Sequence, residues 1–503
     1  MKACTAVKST KVNLVGILFA IAVLLFAQIN WAQKTKEIKK STVSKNSQQP
    51  GMTLEQYLNK VKSTNQKIQA LSLQVEAAED RRVAGDFELA PIAGASYSYL
   101  SDQSQPQTVQ GSTKVLNRTS EIFVSKKFSS GTNAKVFAQG KDFEFVGAAP
   151  PLNKYATGSL GFALSQSLWK DFFGSGTRLR QDRESVVAKL ETVQAEAELR
   201  QVMTDAEIAF WNYLYKLEEK KQRQESLERS SKILNWIKRR EADGIADRSD
   251  RFNSEALVST RQLLLLNADD DLKSAEQTMR DFLSLEQSAG LPLISGNIGI
   301  SRPMKGQFSK SQKILRADAY LQLLESKSKK MISEEVMDGL RPDLSLQASY
   351  ETNSFEENLT KATNKWTEAD KPRSSVGVQF TYVFDTSVKG SRRSAANKEA
   401  MAADLKAKKL VRESASAWEE LVRKYDELSQ KIVLAESIKD FQMKRAKEEQ
   451  LKLTRGRSIT NQVVSSEEDA ANADLTVIQL KAEQRKLEAM TRNYFEVSEE
   501  LLN

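Results

Sequence analysis

The chain has 503 residues, of which 40% are hydrophobic and 28% are charged, and its formal net charge is +9. That balance favours an assembly with much wetted surface over one thick core. The chain has no histidine and one cysteine, Cys4. Beyond the N-terminal leader, histidine bases, thiol nucleophiles, disulfides and zinc sites are therefore excluded. The positive charge is spread along predicted helices without a basic, aromatic stripe, so no nucleic-acid partner is expected.

The first 32 residues have the features of a secretory signal peptide. Three lysines precede a short apolar run from Val15 to Ala27, and Ala32 is a small residue suited to cleavage. The alternative, an N-terminal membrane anchor, requires a longer apolar run. Residues 33–52 are polar and basic, and they are predicted to be a flexible segment. No later stretch is apolar enough for a transmembrane helix, so an exported chain that enters a membrane must use β-strands.

Residues 53–288 form a first predicted repeat. A helix starts at Thr53 and stops before Pro91, after which the apolar period changes from 3.6 to 2. The alternating stretches predict strands at about 93–99, 121–128, 134–145 and 160–164. Between Thr177 and Arg240 there is neither proline nor glycine, which predicts one very long helix. Gly244 breaks it, and a second helix returns, giving an antiparallel helical hairpin.

Residues 289–308 are predicted to connect this repeat to a second one, residues 309–503. The second repeat has a helix from Ile314 to Met337, then strands at 344–350 and 376–384 separated by a long polar loop. A second long helix runs to Thr454, and Gly456 turns the chain back. Because the same order of elements occurs twice, the sequence indicates an internal duplication.

The strands are apolar on one side and small or polar on the other. This alternation suits a transmembrane barrel, although a soluble, half-buried sheet has the same pattern. In the barrel interpretation, five residues face lipid: Phe162, Leu164, Leu346, Val378 and Phe380. The first half supplies two to four strands and the second half two, whereas a membrane barrel needs about eight or more. Several copies must therefore contribute to one barrel, with the helical hairpins projecting together on one side.

Several short motifs, in their order along the chain, resemble the outer-membrane efflux proteins, the TolC-like channel-tunnels. The resemblance covers residues 53–500. Its marks are the opening helix Leu54-Glu55-Gln56-Tyr57, Pro91 and its counterpart Pro342, the corner Leu164-Ser165-Gln166-Ser167-Leu168-Trp169, the spacing of Arg240, Gly244 and Asp250, and the closing stretch Arg492-Asn493-Tyr494.

The resemblance implies a mainly α protein with membrane β-strands, internally duplicated, in the cell outer membrane. A homotrimer of this family forms a twelve-stranded β-barrel, with four strands per chain, that continues as a long α-helical barrel in the periplasm. It implies two partners, a periplasmic adaptor (membrane fusion protein) and an inner-membrane efflux pump or ABC exporter. The family exports drugs, metals or proteins, catalyses nothing and holds no cofactor or metal.

The same resemblance places the periplasmic tip and aperture at Arg240, Gly244, Asp250, Gly456, Gln462 and Ser465. The sequence departs from the family in two respects. The segment 121–145 would give six strands per chain, and an extension of the first strand pair is the preferred interpretation. Gln462 and Ser465 stand at positions that are acidic in some members, which weakens cation selectivity unless Glu467 and Glu468 offset the change.

Two other classes of protein compete with the channel. An exported periplasmic coiled-coil scaffold or adaptor explains the helical hairpins, but an adaptor needs a small domain between its hairpin arms, and none is evident. A hydrolase is disfavoured by the missing histidine and by the single cysteine in the leader. Asp269-Asp270-Asp271 lacks the glycine-turned loop of a calcium site, and Gly174-Ser175-Gly176 lacks the lysine of a phosphate loop.

Overall fold

The structure is a computed structural model that describes residues 51–104, 113–147, 153–286, 290–296, 298, 313–368 and 371–497. The predicted signal peptide and most of the flexible segment lie outside these residues. The last two residues of the flexible segment are held in place, because the Met52 amide donates to the carbonyl of Leu293 at 2.6 Å, and the Ser295 amide donates to that of Met52 at 3.0 Å. The start of the first repeat is thus tied to the predicted connector.

Helices account for most of the described chain. They are α1 (Leu54–Thr64), α2 (Gln66–Ala84), α3 (Ser175–Ala242), α4 (Arg248–Phe282), α5 (Ala317–Gly339), α6 (Leu359–Asn364), α7 (Thr386–Thr454) and α8 (Thr460–Met490). The two long helices are confirmed: α3 has 68 residues and α7 has 69, which makes each about 100 Å long. Among the described residues, no helix has the length and apolar character needed to cross a membrane.

Each long helix has a short helix beside each of its halves. The N-terminal half of α3 contacts α2 through Arg81–Glu191 at 2.6 Å, and its C-terminal half contacts α4 through Lys216–Asp271 at 2.7 Å. In the second repeat, α7 contacts α5 through Lys329–Glu399 at 3.1 Å and α8 through Arg445–Asp469 at 3.0 Å. The same arrangement of helices therefore occurs in both halves of the described chain.

The helix predicted from Thr53 onward is wrong in one respect, because it is broken at Asn65. The Asn65 side-chain oxygen accepts from the amides of Lys67 and Ile68 at 3.0 and 3.2 Å, so it caps a new helix. Its side-chain amide donates to the Phe282 carbonyl at 3.0 Å, which fixes the break against the end of α4. An asparagine with both contacts stabilises a bend that the apolar period does not reveal.

A second difference concerns Ile314, which was predicted to begin a helix. It lies in strand β5 (Lys313–Arg316), which pairs with β9 (Tyr494–Val497) near the end of the chain. The Arg316 amide then donates to the Ser414 hydroxyl at 2.7 Å, and α5 starts at the next residue. The pairing joins both ends of the second repeat, a long-range contact without a local sequence pattern.

One antiparallel sheet holds the other strands. Its order is β1 (Ile92–Asp102), β2 (Lys114–Lys127), β3 (Thr132–Val146), β4 (Lys154–Ser167), β6 (Asp343–Glu351) and β8 (Arg373–Thr381), and the short β7 (Ser354–Glu356) also pairs with β4. The preferred interpretation of residues 121–145 is wrong: β2 and β3 are full strands inserted between β1 and β4. The polar loop at 351–374 contains β7 and α6.

The largest apolar cluster lies where α1 packs against α3 and α4. Tyr57, Val61 and Phe210 are completely inaccessible to solvent there, and the rings of Tyr57 and Phe210 lie 5.5 Å apart. Burial raises the pKa of Tyr57 above its ordinary value. This cluster therefore holds α1, α3 and α4 together.

A buried ion pair in α8 lies close to that cluster. Arg485 has a side chain that is 1% exposed, and its guanidinium lies 2.6 Å from the Glu488 carboxylate. Its Nε also donates to the Ile298 carbonyl at 3.2 Å, so the pair links α8 to the connector. This one arginine therefore pairs with a buried carboxylate and also binds a backbone oxygen of the connector.

We expect Arg485→Ala to destabilise the protein strongly, because it removes the guanidinium that pairs with the buried Glu488 carboxylate, and breaking a buried ion pair costs about 3–5 kcal/mol. Arg423→Ala is the control: Arg423 also binds two carboxylates, Glu420 and Glu427, but its side chain is 61% exposed, so the cost should stay below about 1 kcal/mol. Urea unfolding followed by circular dichroism measures both. Equal midpoints for the two variants would contradict the prediction.

Candidate functional site

One face of the large sheet is apolar along the middle of all six main strands, whereas at the end away from the long helices it carries the Arg118–Asp142 ion pair, and α6 packs over its Gly140 and Gly158. The register places Phe162 of β4 between Val136 of β3 and Tyr350 of β6, and it pairs Leu346 with Val378 of β8. We call this surface the apolar face; its exposed members are Tyr97, Tyr99, Ile122, Val124, Val136, Phe162, Leu164, Leu346, Tyr350, Val376, Val378 and Phe380. All five residues that were predicted to face lipid lie on it.

The opposite face, here called the polar face, carries hydrogen-bonded polar side chains. Gln347 donates to Gln379 at 2.7 Å on β6 and β8, and the hydroxyls of Ser349 and Ser375 lie 2.7 Å apart. Successive side chains of a strand point to opposite faces, so these residues alternate with the apolar set. In this part of the sheet, one face is thus hydrophobic and the other is hydrophilic.

Aromatic side chains also lie on the polar face, and the sequence analysis did not find two that cover glycines of neighbouring strands. Phe123 lies over Gly94 of β1, and Phe137 lies over Gly161 of β4, so close that a Cβ on either glycine would stand 2.6–2.7 Å from the ring. The Lys135 ammonium lies 4.4 Å from the centre of the Phe123 ring. A glycine within a strand often marks such a close approach, and this was the available signal.

The sheet meets the long helix at the predicted corner, which is tightly packed. Gly174 has φ +80°, and a Cβ there would stand 1.8 Å from the Ser129 carbonyl oxygen in the β2–β3 turn. Gly131 of that turn packs against Gly174 in return. The Asp171 carboxylate accepts from the amide and hydroxyl of Thr177 at 2.8 and 2.6 Å, which fixes the first turn of α3.

At the far end of the hairpins, Gly244 and Gly456 form the same turn. Their φ values are +73° and +71°, and the residue after each glycine donates to a helix carbonyl five residues earlier, at 2.8 Å in both cases: Ile245 to Arg240, and Arg457 to Lys452. These are αL-type helix ends, which glycine adopts at low cost. Arg240 also lies over the Trp236 ring at 4.7 Å.

Asp250 follows Gly244 by six residues, and Gln462 follows Gly456 by the same number, so the two residues occupy equivalent positions on the two tips. Both residues lie in the first turn of a returning helix, and both amides donate to the residue three positions earlier at 3.1 Å. Asp250 is half-buried, whereas Gln462 and Ser465 are exposed. The two tips are therefore the same in backbone and different in charge.

Glu467 and Glu468, beside the second tip, are both engaged by arginines of the first hairpin. Glu467 lies 2.9 Å from Arg229 of α3, and Glu468 lies 4.0 Å from Arg261 of α4. Burial lowers the pKa of Arg261, whose side chain is nearly inaccessible. Their negative charges are thus balanced within the chain, and they leave Gln462 and Ser465 as a neutral surface.

Two of the three aspartates at 269–271 join α4 to α3. Asp269 lies 2.5 Å from Lys220 of α3 and 2.8 Å from Lys273, and Asp271 lies 2.7 Å from Lys216. Hydrogen bonds from the two lysines lower the pKa of Asp269 to about 2. Lysine ammonium groups therefore lie beside the carboxylates of Asp269 and Asp271, where a bound metal ion would otherwise have to lie.

Comparison with known proteins gives a match at the level of structure. No family model and no curated protein matches the sequence. The outer-membrane protein VceC of Vibrio cholerae matches with a TM-score of 0.62 at 12% identity, over 87% of this chain and 94% of that one. The CmeC outer-membrane channel of Campylobacter jejuni matches with 0.61 at 13%, over 92% and 94%.

A third match is the open state of the MtrE outer-membrane channel of Neisseria gonorrhoeae, with a TM-score of 0.59 at 12% identity, over 88% of each chain. These alignments include both long hairpins and the sheet, because they extend over almost the whole described chain. At such low identity, a structural match establishes the fold alone. The chain therefore has the fold of the outer-membrane efflux channels, as its resemblance to the TolC-like family implied.

Proposed function

We propose that this chain is an outer-membrane channel-tunnel, the exit duct through which substrates leave the cell envelope. Three copies join their sheets in the outer membrane and their helical hairpins in the periplasm. A periplasmic adaptor and an inner-membrane pump or ABC exporter complete the system and supply the energy, since the duct itself is passive. The family resemblance implies three substrate classes: drugs, metal ions and proteins.

The observation that carries this proposal is the apolar face. A sheet that is apolar on one exposed side and hydrogen-bonded and polar on the other fits lipid outside and water inside. A soluble sheet normally covers its apolar side with helices or a second sheet, yet Val376, Val378 and Phe380 are 59–78% exposed. Only lipid or further protein removes so large a surface from water.

A second surface supports the association of copies. On α7, Leu434, Ile438 and Phe441 recur at helical spacing and are 54–70% exposed. Met401 and Leu405 form a second exposed apolar patch on the same helix, and charged residues such as Arg412 and Arg423 separate the two patches. A neighbouring copy of the chain is the occupant proposed here, because helical tubes close when each helix covers its apolar stripe with the next.

We expect Ile438→Glu combined with Phe441→Glu to reduce the trimeric fraction of the extracted protein at least tenfold. The change puts two carboxylates into an apolar contact, where each unpaired charge is costly. Native mass spectrometry in mild detergent measures the ratio of trimer to monomer. The matched control is Ser437→Glu, next to the stripe, which should stay trimeric; an unchanged trimer in the double variant would show that the stripe is not the contact between copies.

The overall proposal is tested by separating inner and outer membranes on a density gradient, washing with carbonate and determining the mass after extraction. A carbonate-resistant trimer in the outer-membrane fraction is the expected result. A soluble or peripheral monomer or dimer would contradict the channel and favour the alternative, an exported periplasmic scaffold or adaptor.

A further inference from the structure

We infer that the β2–β3 hairpin crosses the outer membrane beside the other four main strands, so that three copies close an eighteen-stranded barrel through β1 of one copy and β8 of the next. The inference rests on the proposed function, because it assumes that the sheet lies in a membrane and that three copies assemble. It departs from the family expectation of four strands per chain. Its consequence is a wider barrel.

The hairpin is long enough to cross and is paired along its length. β2 has 14 residues and β3 has 15, whereas a tilted membrane strand needs about 9–11. On one side β2 pairs with β1 from Val115 to Ser125, and on the other β3 pairs with β4 from Thr132 to Glu144. Removing the hairpin from the membrane would therefore separate β1 from β4.

In its middle, the hairpin also continues the apolar face at the same height, and the Arg118–Asp142 ion pair marks the end of this apolar band. Ile122 lies between Ala95 of β1 and Ala138 of β3, and Val136 lies beside Phe162 of β4. Ile122, Val124 and Val136 are each at least 50% exposed. A hairpin that remained in water would have polar residues at these positions, as its own polar face has.

The β2–β3 turn fixes that height, because it is bound to the corner where β4 becomes α3. Gln166 at the end of β4 donates to the Ser130 carbonyl at 3.1 Å and accepts from the Thr132 hydroxyl at 2.5 Å. Arg178 donates to the Ser129 carbonyl at 3.4 Å. The turn and the strand-to-helix corner therefore lie at one level, so β2 and β3 enter the membrane where β4 leaves it.

The two outer edges of the sheet, β1 and β8, can pair with each other between copies. β1 leaves the helical side and β8 returns to it, so the two strands run antiparallel, and neither has an outer partner among the described residues. No charge or proline occurs between Ile92 and Ser101, nor between Ser374 and Thr381. Free edges are usually protected by such residues, so these edges are built to pair. Another copy of the chain presents the complementary edge.

Strand number sets the width of such a barrel. With strands about 4.8 Å apart and tilted by about 40°, eighteen strands enclose a ring about 36 Å across, against about 24 Å for twelve. The hairpin thus more than doubles the cross-section. Its polar face, with Lys135 and Glu121 in an ion pair, lines the added part of the lumen.

Fluorescence quenching by lipid tests the inference. Because the chain has only one cysteine, Cys4, a single introduced cysteine can be labelled selectively once Cys4 is replaced. In a Cys4→Ser background, one cysteine replaces Ile122 of the hairpin, Phe162 of β4 or Ser125 of the polar face, and an environment-sensitive fluorophore is attached to it. The purified trimer is placed in phosphatidylcholine vesicles that contain lipids with a nitroxide in the acyl chain. We expect strong and similar quenching at positions 122 and 162 and little at 125.

The outcomes separate the inference from the proposed function. Quenching at 162 without quenching at 122 would overturn the six-strand membrane sheet while leaving the channel intact. No quenching at 162 would contradict the membrane sheet itself and thus the proposed function. Quenching at 125 instead of 122 would also overturn the inference, because the hairpin would then face lipid with its polar side.

Closure is tested at the edges. Pairs of cysteines combine Ser96 or Ser98 of β1 with Ser375 or Gln379 of β8, and a short bifunctional maleimide is added to the assembled protein. The two edges of one chain are separated by the four strands between them, so any link joins two copies. Covalent dimers and trimers on denaturing gels are expected for at least one pair. Single-cysteine controls should give no such links, and the absence of links for every pair would overturn the closure.

Discussion

Phe380→Arg is expected to abolish assembly in the outer membrane, and Phe162→Arg is expected to do the same. The two side chains are 59% and 46% exposed on the apolar face of β8 and β4. An arginine that faces lipid costs about 2–4 kcal/mol near the middle of a membrane barrel, which applies to Phe162 within β4, and less near the interface, where Phe380 lies at the end of β8. Three copies multiply that cost, because each trimer contains the substitution three times. The amount of carbonate-resistant trimer in outer membranes measures the effect.

The matched control is Gln379→Arg, one residue away on the same strand. Gln379 lies on the polar face and accepts from Gln347, so its replacement adds the same charge to the side that meets water. It should leave the assembled amount unchanged within about twofold, because a lumen tolerates charge. If Phe380→Arg and Gln379→Arg assemble equally well, the two faces are not lipid and water, and a soluble scaffold becomes the better interpretation.

Gly174→Ala should destabilise the protein more than Gly244→Ala, although both substitutions add one methyl group. An L-residue at φ +80° costs about 1–2 kcal/mol, and the new Cβ would stand 1.8 Å from the Ser129 carbonyl oxygen. Either the β2–β3 turn or the first turn of α3 must then move, which adds about 1–3 kcal/mol. Heat-induced dissociation of the extracted oligomer on gels should occur at a clearly lower temperature.

Gly244→Ala provides the comparison, because it carries the same backbone strain without the collision. Its φ is +73°, and nothing lies within 4 Å of an added Cβ. A second measurement locates the damage: trypsin should cut after Lys126 or Lys127, beside the turn, in Gly174→Ala and not in Gly244→Ala. Equal stability of the two variants would mean that the corner does not hold the hairpin.

The sequence predicts the helical part of this fold well, because its signals are local. Absence of proline and glycine over more than sixty residues, and a glycine at each turn, are sufficient to place α3, α7 and the two tips. The break at Asn65 escaped prediction, since it depends on the Phe282 carbonyl of a distant helix. The pairing of β5 with β9 escaped it for the same reason: the partners are at opposite ends of the repeat.

The candidate surfaces were predictable in part. Alternation identified five apolar residues on one face of the sheet, since the period of 2 is contained in each strand. Strand order is a long-range property, and it showed that residues 121–145 separate β1 from β4. Likewise, the arginines that neutralise Glu467 and Glu468 come from the other hairpin, so the neutral surface at Gln462 could not be read from neighbouring residues.

The unequal tips have a consequence for symmetry. Both hairpins end in the same glycine turn, but Asp250 on one tip corresponds to Gln462 on the other. In the proposed trimer, six tips form one ring in which the carboxylate of Asp250 alternates with the amide of Gln462. The ring is then sixfold in shape and threefold in charge. Identical partner subunits that grip every tip would bind in two non-equivalent ways, and a partner that needs the carboxylate would occupy only alternate positions.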